Sequence, residues 1–211
     1  MVRNFTKTIT NNDMKKLSID IVGISPMLQH NGQTADPLNP FTKELKKISS
    51  KRAKTDDDHE QMAKIEFRAG LYWRDDIGVH MPMDNLSAMF LAAAKKHRLG
   101  PKTSSILISE DMPVEFKDSK NLSKLEANPD MHFRKSVNVQ RQKVMRTRPM
   151  VPAGWTGTIN LEIDVDGIDP DDIELLAVTA GKQVGMGDWR PGSPKPGPFG
   201  KFDILSIKEV Q

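Results

Sequence analysis

The stretch "WTGTINLEIDVDGIDPDDIELLAVTAGKQVGMGDWRPGSPKPGPFGKFDILSIKEV", Trp155 to Val210, decides the fold. Ile159, Leu161, Ile163 and Val165 alternate with polar residues, the period of a strand with one buried face. Asp169 then stands where a helix cap belongs, Pro170 takes the first helical position, and Asp171 and Asp172 suit the positive end of the helix dipole. Ile173, Leu176, Ala180 and Val184 give that helix one apolar stripe. A glycine-rich segment follows, about 185–200, and "FDILSIKEV" closes the chain as another strand. The order is therefore strand, helix, glycine-rich loop, strand.

Working outward, "KKLSIDIVGIS" (Lys15 to Ser25) alternates Leu17, Ile19 and Ile21 with polar partners and predicts a first strand, limited by Pro26. "LQHNGQTADPLNP" reads as loop. A short basic helix is expected over Phe41 to Arg52. A second, capped by Thr55, carries Met62, Ile65 and Ala69 at helical spacing, and a third, capped by Asp84, runs to the Gly100-Pro101 terminator. "GLYWRDDIGVHMP" suggests a strand or hairpin, "SSILISEDMPVEF" at least one strand, and "KDSKNLSKLEANPD" a polar loop. Phe133 to Val151 divides around Gln140 into two strand-like halves. These elements predict an α+β chain of the ferredoxin-like, RRM-like kind: a split βαβ sheet in one domain over 1–211, with a helical insertion at 38–82 and a protruding β-hairpin at 131–151.

The 211 residues contain no cysteine, which excludes disulfides and thiolate metal sites and suits a reducing compartment. No apolar run approaches the ~20 residues of a membrane helix. Residues 1–14 are polar, without the apolar core of a signal peptide, and are expected to fray. These features predict a cytoplasmic protein with no membrane partner. The net charge is only +3, yet 131–154 holds Arg134, Lys135, Arg141, Lys143, Arg146 and Arg148 and no acid. Such a patch attracts a polyanion, or is simply a solvated hairpin.

The glycine loop follows a helix, the reverse of the dinucleotide-binding order, and Gly200-Lys201 is followed by Phe202, so it is no Walker loop. Its glycines, Gly185 and Gly187 among them, let backbone N–H groups approach phosphates, while Arg190, Lys195 and Lys201 supply charge and Trp189 a stacking face. The alternative is a long turn with Trp189 packed as a lid on the core.

"GMGDWRPGSPKPGPFGKFDI", after an amphipathic helix and before a last strand, resembles the glycine-rich loop of the repeat-associated mysterious protein (RAMP) superfamily, which forms CRISPR effector backbones and processing nucleases. "LSIDIVGISPML" resembles the opening strand of that family, and Phe133 to Pro149 occupies the place of its hairpin thumb. The family loop is shorter and lacks "DWRPGSPKPG", and the chain is short for a backbone subunit, which suits a solitary or virus-borne (phage) relative in a bacterial or virus-infected host cytoplasm. The resemblance implies RNA binding, self-association along the strand and CRISPR-related protein partners. It also implies two cleavage candidates in the loop after the first strand, His30 and Asp36.

The leading expectation is a binding protein that holds single-stranded RNA, or less readily DNA, without sequence preference. Arg134, Lys135, Asn138, Gln140, Arg141, Gln142, Lys143, Arg146, Arg148 and the loop residues named above would hold the strand. One alternative is a metal-independent endoribonuclease using His30 or Asp36; another is a RAMP mimic that docks on host CRISPR complexes. The five histidines are scattered without ligand spacing, so no metal or cofactor is expected.

Overall fold

The computed structural model describes residues 14–139 and 141–210. Of the residues expected to fray, 1–14, Met14 instead begins the first strand by pairing with Asp164, and the other thirteen, like the assignment of Gln140 to a binding surface, lie outside the described residues.

The main sheet follows from alternation. β1 (Met14–Gly23) buries Leu17, Ile19 and Ile21 on one face, and Ser18, Asp20 and Val22 stand on the other. Behind it come β2 (Met27–Leu28), α1 (Pro40–Ser49), α2 (Asp56–Gly70), β3 (Trp73–Arg74), β4 (Gly78–Met81) and α3 (Met83–Lys96). β5 (Ile106–Leu107), β6 (Met112–Pro113), α4 (Leu122–Ala127), β7 (His132–Val139) and β8 (Gln142–Val151) follow. The chain then makes β9 (Thr156–Asp164), α5 (Pro170–Thr179) and β10 (Phe202–Val210).

β9 and β10 flank β1, with Ile19 opposite both Ile159 and Ile207. The sheet order is β10-β1-β9-β5 and every neighbour is antiparallel. Between β1 and β5 the chain passes through α3, and between β9 and β10 through α5; the two helices pack together and join the buried sheet residues in one apolar core. The architecture is thus α+β with antiparallel sheets. Two small three-stranded sheets, β2-β8-β7 and β3-β4-β6, complete it.

The other face of the main sheet is polar. The Asp20 carboxylate accepts hydrogen bonds from Ser206, Lys208 and Thr158, and these hold its pKa down to about 2. No aromatic residue occupies an outward position on β1, β9 or β10, so this face offers no platform for stacking bases.

α2 begins on a full capping box, Thr55 with Asp58, as its sequence requires. Asp169 caps α5 through Asp171 N. Two expectations need correction. α3 starts two residues earlier than an Asp84 cap would allow: Pro82 holds the cap position without a side-chain bond, and Asp84 lies in the first turn. The polar segment 117–130 is not all loop, because Asn121 caps the short helix α4, which buries Leu125 in the core.

α5 does not end at a simple C-cap. It continues into one π-helical turn, Ala180–Val184, which widens the helix end just before the glycine loop. The loop then lies tightly on the strand entering the site. Gly187, at φ 76°, passes so close to the Leu28 carbonyl that a Cβ would overlap it, and Asp188 N donates to that carbonyl at 2.7 Å. Gly200, at φ 72°, meets the Met186 carbonyl in the same way. Here glycine serves backbone-to-backbone packing rather than flexibility.

Candidate nucleic-acid interface

β7 and β8 pair in one register from His132 opposite Pro149 to Val139 opposite Gln142. Cross-strand partners share a face, so Phe133, Lys135 and Val137 stand with Arg148, Arg146 and Val144. Arg134, Ser136 and Asn138 stand with Thr147, Met145 and Lys143 on the other side. The basic residues therefore divide between two faces.

At the hairpin's base the first face meets the glycine loop. Lys135 Nζ lies 3.2 Å from the centre of the Trp189 ring. Phe133 packs edge-on against Phe199 at 5.2 Å and tilts against Trp189 at 6.3 Å, and Trp189 and Phe199 lie 5.4 Å apart. Arg148 Nε donates to Asp188 Oδ2 at 3.1 Å. Trp189 adopts φ 48°, a left-handed conformation that a bulky residue rarely takes and that costs on the order of 1–3 kcal/mol. The aromatic cluster and the Lys135 ammonium hold it there. Trp189 is thus partly packed by its neighbours, between the lid and the open stacking face that the sequence leaves as alternatives.

The remaining cations fall into two groups. Arg146 Nη1 reaches back to α2 and binds Glu66 Oε1 at 2.6 Å, while Glu66 Oε2 accepts Thr147 N at 2.8 Å. Arg146 and Arg148 therefore act first as anchors of the hairpin. Among the described residues Arg134, Arg141 and Lys143 pair with no carboxylate, and all three are exposed, Arg134 near the hairpin's base and Arg141 and Lys143 at its far end. Arg141, at φ 67°, forms its turn. Gln142, at the tip, and Asn138, opposite Lys143, are exposed with them.

Arg190 turns inward, with Nη1 donating to the Gly187 carbonyl at 3.0 Å. Lys195 is exposed on the loop, and Lys201 is tied through its backbone to Ile24 and Ser25 at the end of β1. Neither belongs to the Lys135–Trp189 cluster.

His30 stands beside this junction, with 43% of its side chain exposed and Nδ1 3.9 Å from Asp188 Oδ2. Partial burial pushes its pKa below the usual histidine value; the Arg148 and Arg146 cations act in the same direction and Asp188 opposes them. Asp36 is not part of the junction. Its Oδ1 accepts Leu38 N at 2.8 Å in an exposed turn, the ordinary role of aspartate before proline. Among the described residues no cluster of acids and histidines could hold a metal ion, and no helix is long and apolar enough to cross a membrane.

Two cavities adjoin His30. One, of 520 Å³, lies between α1, α2 and the hairpin and is lined by Thr42, Lys46, Glu66, Arg146 and Arg148. The other, of 210 Å³, lies under the glycine loop against α3. Sequence reasoning missed both walls, because the α1–α2 insertion gives no local sign of which element it faces. Glu66 and Asp188 were missed as anchors, although Asp188 stands visibly between Gly187 and Trp189.

No protein-family profile matches the chain, and no curated protein matches it in sequence. Among solved structures it is similar to a chain of the cryo-EM structure of the Type III-B Cmr-beta bound to cognate target RNA, with a TM-score of 0.51 and 6% identity. The match covers 94% of this chain and spans 61% of the length of the other. At that identity the likeness is one of fold, and the fold is loosely related to one found in a CRISPR effector assembly.

Proposed function

We propose that this chain is a single-domain, ferredoxin-like protein of the RAMP type that binds single-stranded nucleic acid, RNA before DNA, largely without regard to sequence. The observation that carries the reading is the meeting of the acid-free hairpin with the glycine loop, Lys135 over Trp189 and Arg148 on Asp188, on a hairpin whose Arg134, Arg141 and Lys143 are exposed and, among the described residues, pair with no carboxylate. The sheet order β10-β1-β9-β5 with α3 and α5 as crossovers supports the ferredoxin-like assignment. The fold likeness to a chain of an RNA-bound assembly favours RNA. Because the open sheet face carries no aromatics, the strand is held through its backbone, by the arm, the glycine loop and the α1–α2 wall. Adjacent copies on one strand then lie side by side, and a CRISPR-related protein surface is the kind of partner that the fold suits.

Filter binding of short RNA and single-stranded DNA at two salt concentrations tests this. With about five phosphates neutralised at a slope near −0.7 each, affinity falls roughly a hundredfold between 50 and 200 mM salt. Absence of binding at 50 mM salt overturns the reading.

His30 supports a second reading. Its depressed pKa keeps the ring neutral near pH 7, able to accept a proton from a ribose hydroxyl in metal-independent cleavage. Labelled RNA incubated with EDTA is then shortened by the wild-type protein and left intact by His30→Ala. RNA that stays intact with the wild type removes this reading and leaves the first standing.

A further inference from the structure

The smaller cavity is built for something more selective than a phosphate chain. Its volume is 210 Å³. That is several times the ~30 Å³ of one water, yet below the ~300 Å³ at which pockets for drug-sized ligands begin. Met81 and Met186, both buried, give it an apolar floor, the rings of His30 and Tyr72 are planar walls, and Arg190 lines the glycine-loop side. A flat, amphipathic group of one or two rings matches that combination of size and lining.

The polar edge is set by a short hydrogen-bond chain. The Tyr72 hydroxyl donates to the His30 carbonyl at 3.1 Å, so its oxygen accepts from Asn85 Nδ2, 3.2 Å away. That fixes the orientation of the Asn85 amide, whose other Nδ2 hydrogen is directed at Met81 Sδ. Asn85 Oδ1, with no hydrogen-bond partner among the described residues, remains as an acceptor at a cavity reached past His30 from the cationic groove.

We propose that this cavity takes one unstacked nucleobase of the bound strand, and that Asn85 Oδ1 accepts a hydrogen bond from its exocyclic amine. The proposal rests on the nucleic-acid reading above and adds a selective element to it. The strand's phosphates lie along Lys46 and the hairpin, and one base leaves the stack beside His30 and enters under the glycine loop. An amine-bearing base satisfies Asn85. Uracil or thymine presents a carbonyl at the same place and leaves the amide opposed by a like dipole.

Cytidine and uridine 12-mers, whose bases differ in amine against carbonyl at C4 and in the hydrogen on the adjoining N3, are the probes. The full-length protein binds the cytidine oligomer roughly threefold to tenfold more tightly, the worth of one hydrogen bond. Asn85→Ala and Ala88→Phe each bring the two affinities together; Ala88 is exposed on α3 and lines the cavity, so phenylalanine fills it without touching charge or core. Uridine binding and its salt slope stay within twofold of wild type in both variants. Equal binding of the two oligomers by wild type, or a preference that survives both substitutions, overturns the pocket assignment while leaving strand binding intact. Failure of both oligomers to bind overturns both readings.

Discussion

Replacing Arg134 and Lys143 with glutamate and Arg141 with aspartate in one variant is expected to weaken single-strand binding by about two orders of magnitude at 50 mM salt. The three side chains are exposed and, among the described residues, make no ion pair. Each neutralised phosphate contributes about 0.7 to the salt slope for single strands, so losing three lowers the slope by about 2. The new carboxylates add repulsion to the lost attraction. Aspartate is chosen at position 141 because φ is 67° there and aspartate tolerates that conformation. Since no ion pair among the described residues is broken, each change costs within ~0.5 kcal/mol, and the thermal midpoint moves by no more than about 6 °C. Filter binding across a salt series, with thermal unfolding as the control, reads both quantities. A variant that folds and binds as tightly as wild type, with the same slope, removes the arm from the interface and with it the main support for the proposed function.

That choice of residues differs from the one composition alone suggests, and the difference shows what a sequence carries. The acid-free run from 131 to 154 correctly marks a basic hairpin, because local composition is enough to see it. Which arginines remain free depends on partners 80 and 40 residues away, Glu66 for Arg146 and Asp188 for Arg148, and no local pattern encodes those distances. The fold is legible for a similar reason where it is local. Ile159, Leu161 and Ile163 alternate, Asp169 caps and Ile173 and Leu176 follow at helical spacing, and β9 and α5 form where those signals lie. β5 is two residues long and exists by pairing with β9, and α4 is polar apart from the side it turns to the core, so neither has a period long enough to read. His30 and Asp36 were legible as residues of one loop; only the folded chain places the first by Asp188 and holds the second in a turn with Leu38.

The hairpin's anchor gives a second large effect, on stability rather than binding. Glu66 is 8% exposed at its side chain and receives both Arg146 and the backbone N–H of Thr147, a residue 1% exposed. Glu66→Ala strands that N–H, at a cost of about 1–3 kcal/mol, and leaves Arg146 unpaired. Removing one partner of a fully buried pair costs about 3–5 kcal/mol, but Arg146 is 37% exposed and water compensates it. The sum is about 3 kcal/mol, and the thermal midpoint falls by roughly 6–12 °C for a chain of this length. Glu66→Gln separates the two parts, because its carbonyl oxygen still accepts from Thr147 N while the negative charge is gone. The loss there is about 1 kcal/mol. The same substitution releases the Arg146 guanidinium toward the groove and deletes an anion from its wall, so single-strand affinity rises a few-fold at 50 mM salt and the salt slope steepens by up to ~0.7. Stability and binding thus move in opposite directions in one variant. A Glu66→Gln protein that binds no better than wild type leaves Arg146 as an anchor and nothing more, and an unchanged midpoint in Glu66→Ala dismisses the anchor itself.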